Sequence, residues 1–272
     1  MPIRLVAIDL DGTLVNDSLV IHPRDVAAVK AATAAGVHVI IATGRMFRSS
    51  VPYAKTLGLT GPMINYQGAV VREIDSGDVL YKCELTVEMQ RRVLAFTEPR
   101  DWHVNAYIDE QVYTERARPE ADLYARISGV PYETVGQLSS WVSHDSTKMV
   151  LVDLDQDGVP ERMAELSASM GSIARVTRSL AWFVEVINPQ VSKARALAMV
   201  ANRFGVSQAD VCAIGDNKND EEMIAWAGLG VAMGDAPPEV RAIAGHVTGT
   251  VNEAGVADAL ERFVFGRQAT RA

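Results

Sequence analysis

The chain has 272 residues, of which 48% are hydrophobic and 22% charged, a balance typical of a globular protein that buries a full core. Its net charge of −8, without any stripe rich in lysine and arginine, argues against a nucleic-acid partner. The first apolar stretch is too short for a secretory signal and none approaches the ~18 apolar residues of a membrane span, so we expect a cytoplasmic protein with no membrane partner.

The amino-terminal part of the chain alternates buried strands with a helix. Residues 3–8 form a continuous apolar run, which is the pattern of a strand covered on both faces. A helix is predicted over residues 23–35, because Pro23 suits a first helical position. Residues 37–42 form a second buried run, and residues 63–65 are a candidate third strand. This order of elements is typical of an α/β domain.

The middle of the chain has a different pattern. Its predicted strands follow one another in adjacent pairs, which implies a mixed or antiparallel sheet rather than repeated βαβ units. We therefore expect a separate α+β domain at residues 83–186. Its predicted helices cover residues 87–96, 119–127 and 160–170, and its predicted strands cover residues 104–108, 111–114, 148–154, 174–177 and 182–187.

After residue 188 the first pattern returns. The simplest organisation is a Rossmann-like parallel-sheet domain made of residues 1–82 and 187–272, with the α+β domain inserted between its two halves. In this last part of the chain, helices are predicted at residues 192–204, 219–227, 237–244 and 255–265, and strands at residues 210–214 and 229–233.

Four polar clusters follow predicted strands, each at the carboxyl end of its strand. They are residues 9–13, 43–45, 65–68 and 215–220. Ligands bind at this edge in open parallel sheets. We therefore expect the four clusters to come together in one site.

Three aspartates in these clusters, Asp9, Asp11 and Asp216, predict a magnesium site. Three carboxylates brought together would repel and raise one another's pKa unless a cation held them. A set of oxygen ligands suits Mg²⁺, which also accepts phosphate oxygens as ligands. The cation would let an anionic carboxylate approach a phosphate group.

Asp9 and Asp11 together fit covalent phosphoryl transfer. A carboxylate that attacks phosphorus forms an acyl-phosphate and divides hydrolysis into two steps. A second acid must protonate the leaving alkoxide and later deprotonate water, and Asp11 would face the same side as Asp9 in a regular strand. Thr43 is a candidate hydroxyl donor to the phosphoryl oxygens. Lys193 is either their fixed cation or a solvated lysine on a helix face, and the residues alone leave both open.

The chain resembles the haloacid dehalogenase (HAD) superfamily, whose four ordered motifs are matched by DLDGTL at residues 9–14, Thr43, Lys193 and GDNKND at residues 215–220. The sequence around these motifs is similar to the Cof-type phosphatase branch, which carries a cap domain between the second and third motifs. The segments that match this branch are IATGR at residues 41–45, VEV at 184–186, SKARAL at 192–197 and VAMGDA at 231–236. The resemblance covers nearly the whole chain.

The resemblance implies a role for each matched residue. Asp9 would be the nucleophile and Asp11 the general acid and base. Mg²⁺ would be held by Asp9, the Asp11 carbonyl and Asp216, with Asp220 either behind these ligands or a further metal-site residue. Thr43 and Lys193 are assigned to catalysis as well as to substrate binding. The residues assigned to substrate binding are Leu10, Thr43, Gly44, Arg45, Lys193 and Asn219.

Two positions depart from the pattern of the Cof-type branch. Gln67 stands where the branch usually has asparagine before glycine, and Asp235 stands where it usually has asparagine between glycine and alanine.

An acidic turn at residues 153–158 resembles the start of a calcium-binding EF-hand loop, but Ala164 occupies the position of the bidentate glutamate. We interpret that turn as solvated.

The sequence therefore predicts a magnesium-dependent phosphatase that hydrolyses small phosphate monoesters, such as sugar phosphates, through an aspartyl-phosphate. One alternative is a phosphomutase of the same superfamily, which would return the phosphoryl group to its substrate. Another is a phospho-accepting regulatory domain, which the large insert and Asp11 argue against. We expect a monomer or a small homo-oligomer.

Overall fold

The computed structural model describes residues 2–266, which fall into two compact units. The first unit combines Met1–Tyr81 with Ser192–Ala272, and the second is Lys82–Val191. The chain thus leaves the first unit once and returns to it once. The expected inserted domain, residues 83–186, lies inside the limits of the second unit, and its role as a cap stays a prediction.

The described residues form short strands and α-helices. The strands are β1 (Leu5–Ile8), β2 (His38–Ile41), β3 (Pro62–Asn65), β4 (Val70–Glu73), β5 (Val79–Lys82), β6 (His103–Ile108), β7 (Gln111–Thr114), β8 (Tyr132–Thr134), β9 (Lys148–Val152), β10 (Arg175–Leu180), β11 (Phe183–Ile187), β12 (Val211–Gly215), β13 (Leu229–Ala232) and β14 (His246–Val247). The α-helices are α1 (Pro23–Ala34), α2 (Phe47–Leu57), α3 (Val87–Thr97), α4 (Pro119–Ser128), α5 (Leu138–Trp141), α6 (Val159–Met170), α7 (Lys193–Arg203), α8 (Glu221–Trp226), α9 (Pro238–Ile243) and α10 (Gly255–Phe263).

A five-stranded parallel sheet organises the first unit, in the order β14-β13-β12-β1-β2. The strand β1 lies between β12 and β2, so that Leu5 is opposite Val211 on one side and His38 on the other. The carboxyl ends of these strands, where the polar clusters begin, therefore lie along one edge of the sheet. The parallel-sheet α/β class predicted from the sequence is confirmed.

Helices cover both faces of this sheet. Val6 and Ile8 pack in one apolar cluster with residues of α1 and α10, whereas Leu5 and Ala7 pack in another with residues of α7. A strand that is buried on both faces must be apolar at every position. This is the physical reason for the continuous apolar run that predicted β1.

The predicted strand at residues 63–65 exists as β3, but it belongs to a second sheet. It pairs antiparallel with β4, in a three-stranded sheet of order β3-β4-β5. A parallel bridge between Ala42 and Ile64 joins it to the end of β2, and the backbone N–H of Thr43 donates to the Ile64 carbonyl at 2.9 Å. The polar cluster after β3 therefore still lies beside the cluster after β2.

The second unit contains a six-stranded sheet of order β10-β11-β9-β6-β7-β8. Its pairings are antiparallel except for β7 with β8, as the adjacent strand pairs in the sequence predicted. Val104, Met149 and Val184 from its central strands pack with Leu94 of α3 and Leu166 of α6 in a separate apolar cluster. This unit therefore has a core of its own.

Among residues 2–266, none of the helices has both the length and the apolar character needed to cross a membrane.

Candidate active site

Two aspartates meet at the carboxyl edge of the parallel sheet because their strands are neighbours. Asp9 follows β1 directly, and its backbone N–H donates to the Ile214 carbonyl of β12 at 2.9 Å. Asp216 follows β12. The carboxylates of Asp9, Asp216 and Asp220 each offer an oxygen, and these three oxygens lie within 4.8 Å of one another. The expected convergence of the first and last polar clusters is therefore present.

Lys193 lies at the centre of this group of carboxylates. It is the first residue of α7, and its side chain is fully buried. The ammonium Nζ donates to Asp9 Oδ1 at 2.5 Å and to Asp220 Oδ1 at 2.6 Å. This placement excludes the solvated helix-face lysine that the sequence left open.

The site carries more negative charge than its lysine can compensate. Burial, together with repulsion from Asp220, raises the pKa of Asp9 well above its usual value, although Lys193 opposes the shift. Burial and the charge of Asp220 likewise raise the pKa of Asp216 to about 6. Burial alone would lower the pKa of Lys193, but attraction by Asp220 and Asp9 outweighs it and raises that pKa.

This donor set fits a magnesium ion. The three carboxylates supply only oxygen ligands, which hard divalent cations prefer. One ammonium faces three acidic groups, so a divalent cation would relieve the repulsion that raises the carboxylate pKa values. Asp9 and Asp216, with the backbone carbonyl of Asp11, are the groups that would hold it.

Both carboxylate oxygens of Asp220 already accept hydrogen bonds from the protein. Its Oδ1 accepts from Lys193, and its Oδ2 accepts the backbone N–H groups of Asp216 and Asn217 at 3.1 and 3.2 Å. A carboxylate with both oxygens occupied in this way orients the loop that carries Asp216. Of the two roles that the sequence allowed for Asp220, we favour the position behind the ligands.

Asp11 has a different environment from Asp9. Its side chain is half exposed and forms a two-pronged ion pair with Arg45, in which Nε donates to Oδ2 at 2.8 Å and Nη2 donates to Oδ1. The Arg45 guanidinium also lies over the Tyr53 ring, 5.2 Å from its centroid. Gly12 follows with a φ of +81°, and a β-carbon there would collide with the Asp216 carboxylate. The positive φ and this collision together explain why glycine occupies the turn that follows Asp11.

The remaining predicted site residues lie around these acids. Thr43 is buried, and its Oγ1 accepts the Arg45 backbone N–H at 3.1 Å. Asn219 is exposed, and its Nδ2 donates to Gln67 Oε1 at 3.1 Å. The Leu10 side chain is fully buried in the apolar core, so only its backbone can take part in substrate binding.

Thr13 contributes to the site although the sequence analysis assigned it no role. The Thr13 hydroxyl donates to Asp216 Oδ1 at 2.9 Å and joins the first polar cluster to the last. Thr13 is buried and follows Gly12 directly. Thr13 lies in the first polar cluster, and its hydroxyl close to two acids in sequence is the feature that could have predicted this contact.

The chain is similar to known proteins over almost its whole length. The family model for haloacid dehalogenase-like hydrolases matches residues 6–260. The 5-amino-6-(5-phospho-D-ribitylamino)uracil phosphatase YitU of Bacillus subtilis is 32% identical over 263 residues, which cover 95% of this chain and 97% of the relative. The HMP-PP phosphatase of Serratia proteamaculans is 30% identical over 88% of this chain and 87% of its own length. A crystal structure from Thermotoga maritima superposes with a TM-score of 0.86 at 32% identity and covers 99% of this chain and 98% of its own.

Proposed function

Since this chain belongs to the haloacid dehalogenase-like hydrolase family, we propose that it is a magnesium-dependent phosphatase that hydrolyses small phosphate monoesters through a phosphoaspartate on Asp9. Relatives that align over most of its length are named phosphatases. The observation that carries the proposal is the buried Lys193, which contacts Asp9 and Asp220 beside Asp216. A buried cation next to a carboxylate nucleophile can neutralise the negative charge of a phosphoryl group that the carboxylate attacks.

In the first step, Asp9 attacks phosphorus. Lys193 engages Asp9 Oδ1, so we assign the attack to Oδ2. The Oδ2–phosphorus bond forms while the bond from phosphorus to the leaving oxygen breaks, and Asp11 donates its proton to that oxygen. When bound, a magnesium ion would screen the phosphate charge that otherwise repels Asp9.

In the second step, Asp11 acts as a base. Its carboxylate takes a proton from water, the water oxygen attacks phosphorus, and the bond from phosphorus to Asp9 Oδ2 breaks to release orthophosphate. Lys193 Nζ and the hydroxyl of Thr43 are the donors that we assign to the phosphoryl oxygens in both steps. In the structure Arg45 engages both oxygens of the Asp11 carboxylate, so one of these two contacts must open when Asp11 carries the proton of the first step.

We propose small metabolites as the substrates. The name of the Bacillus subtilis relative specifies a phosphate on a ribityl chain that is attached to a uracil, which agrees with a small phosphorylated metabolite as substrate. We assign the choice among leaving groups to the second unit, Lys82–Val191, which is inserted between two segments of the catalytic unit. The rate common to all esters would then depend on the first unit.

The decisive experiment measures orthophosphate release under multiple turnover from a panel of sugar phosphates, nucleotides and cofactor phosphates, with Mg²⁺ and with EDTA. We expect release that depends on Mg²⁺ and continues for many turnovers. Transfer of the phosphoryl group back to the sugar without orthophosphate release would instead identify a phosphomutase. A single stoichiometric phosphorylation without turnover would identify a phospho-accepting domain.

A further inference from the structure

Gln67 has a backbone conformation that glutamine rarely adopts. Its φ is 60° and its ψ is 20°, and the preceding Tyr66 also has a positive φ of 51°. Non-glycine residues persist in this left-handed region only where their surroundings impose it, and such positions cluster at functional sites. The position therefore calls for an explanation in terms of what Gln67 contacts.

The turn that carries Gln67 touches two segments of the proposed site. The backbone N–H of Gln67 donates to the Thr43 carbonyl at 3.1 Å, and that of Tyr66 donates to the Arg45 carbonyl at 3.2 Å. At Gly68, a β-carbon would collide with the backbone carbonyl of Ser192, the residue before Lys193. The turn thus fixes the Thr43 loop against the start of α7.

The Gln67 side chain lies between Gly44 and Asn219, two residues that the family resemblance assigns to substrate binding. Its Oε1 accepts from Asn219 Nδ2 at 3.1 Å. Its Nε2 lies so close to Gly44 that a β-carbon on Gly44 would collide with it. Because the amide oxygen is engaged by Asn219, the nitrogen with its two N–H donors is the end that faces Gly44.

We propose that Gln67 is a further phosphoryl-binding residue. Its Nε2 donates a hydrogen bond to a phosphoryl oxygen. Its Oε1 accepts one N–H of the Asn219 amide, so that the second N–H of Asn219 can donate to the same phosphoryl group. This inference rests on the proposed function and adds to it a residue that the four family motifs do not contain. An asparagine side chain is one methylene shorter and would not reach from Gly44 to Asn219.

Two substitutions test the proposal. Gln67→Glu keeps the size of the side chain and an acceptor for Asn219, but it replaces both donors with a negative charge. Gln67→Asn keeps an amide and suits the left-handed backbone better, but it shortens the reach. Gln156→Glu adds the same charge at an exposed position of the second unit and serves as the control.

The readouts are orthophosphate affinity by calorimetry in Mg²⁺, KM and kcat for p-nitrophenyl phosphate, and Tm. We expect Gln67→Glu to weaken orthophosphate binding and raise KM by about tenfold or more, because a charge-assisted hydrogen bond becomes a repulsion. Gln67→Asn should weaken both several-fold without lowering Tm. Gln156→Glu should have the same orthophosphate affinity, kinetic constants and Tm as the parent.

Orthophosphate affinity equal to that of the parent in Gln67→Glu would overturn the assignment, even if ester hydrolysis proceeds and the proposed function stands. Unchanged affinity in Gln67→Asn would also overturn it, since Gln67 would then only shape the turn. If Gln67→Glu loses orthophosphate affinity while the parent hydrolyses no ester, the phosphoryl-binding role stands and the proposed function fails.

Discussion

Lys193 and Asp220 form an ion pair that is closed to solvent, with Nζ 2.6 Å from Oδ1 and both side chains fully buried. The same ammonium contacts Asp9 at 2.5 Å. One lysine therefore joins the first turn of α7 to the segments that follow β1 and β12. We therefore expect the stability of the site and its proposed chemistry to depend on the same cation.

The first prediction is that Lys193→Met destabilises the protein and removes activity. Methionine fills a similar volume but leaves the buried carboxylates without their cation, which costs about 3–5 kcal/mol of unfolding free energy. Urea unfolding measures the loss, which should be larger in EDTA than in Mg²⁺. The exposed Lys30→Met on α1 is the control, with a change within about 0.5 kcal/mol. Equal stability of Lys193→Met and the parent in EDTA would contradict this account.

The second prediction is that Asp9→Asn abolishes turnover while the fold survives. The substitution keeps the size of the side chain and an acceptor for Lys193, but it removes the charge that makes the side chain a nucleophile. Orthophosphate release and circular dichroism measure the two outcomes. Appreciable multiple turnover by a homogeneous Asp9→Asn preparation would show that Asp9 is not the nucleophile.

Much of this fold can be predicted from the sequence, but α2 cannot. The strands β1 and β12 are buried on both faces, so their apolar runs predict both type and position. The helix α2 contains Pro52 and two serines and lacks a side-chain cap, and each feature argues against a helix. Its stability depends on tertiary contacts of Ala54 and Leu57, which are buried in the apolar core.

The candidate site, like the fold, can be predicted from the sequence only in part. Asp9, Thr43 and Asp216 can be identified from the sequence because their clusters follow strands at one edge, whereas Lys193 begins a helix and is identified only by the family resemblance. The burial of Lys193 cannot be predicted from the sequence, because it depends on carboxylates 184 and 27 residues away in sequence. The contact of Gln67 with Asn219 spans 152 residues and requires a left-handed backbone that local sequence does not favour for glutamine.

The third prediction is that Asp216→Asn weakens magnesium binding without removing the nucleophile. Losing one carboxylate from the cluster should raise the Mg²⁺ concentration for half-maximal activity by at least about tenfold. Titration with Mg²⁺ should recover part of the lost rate. Full activity of the parent in EDTA, or an unchanged Mg²⁺ requirement in the variant, would be incompatible with the proposed metal site.

The fourth prediction separates positioning from substrate binding at Arg45. Arg45→Lys replaces two donors to Asp11 with one ammonium. If Arg45 positions the acid, kcat should fall about tenfold for an alkyl phosphate and less for p-nitrophenyl phosphate, whose leaving group needs little protonation. If Arg45 instead binds substrate, KM should rise for both esters by the same factor. Steady-state kinetics on the two esters separates these outcomes.

The last prediction concerns pH and a buried acid away from the site. Asp25 on α1 is fully buried, and its Oδ1 accepts the backbone N–H of Ala257 in the first turn of α10 at 2.7 Å. Burial raises the pKa of Asp25 to about 7, against the opposing effect of this hydrogen bond. The folded protein thus retains a proton on Asp25 between about pH 4 and pH 7, where the unfolded chain has released it.

Stability must therefore fall as pH rises through this window, and the cost of the buried charge is complete above about pH 7. Asp25→Asn keeps the acceptor for Ala257 and carries no charge at any pH. We expect its unfolding free energy to match that of the parent near pH 3–4, below the window, and to exceed it by roughly 2–4 kcal/mol at pH 8. The exposed Asp17→Asn removes the same charge from the same unit and should show no such gap. Urea unfolding at several pH values provides the comparison, and a gap that stays constant with pH would show that Asp25 is ionised in the folded protein throughout.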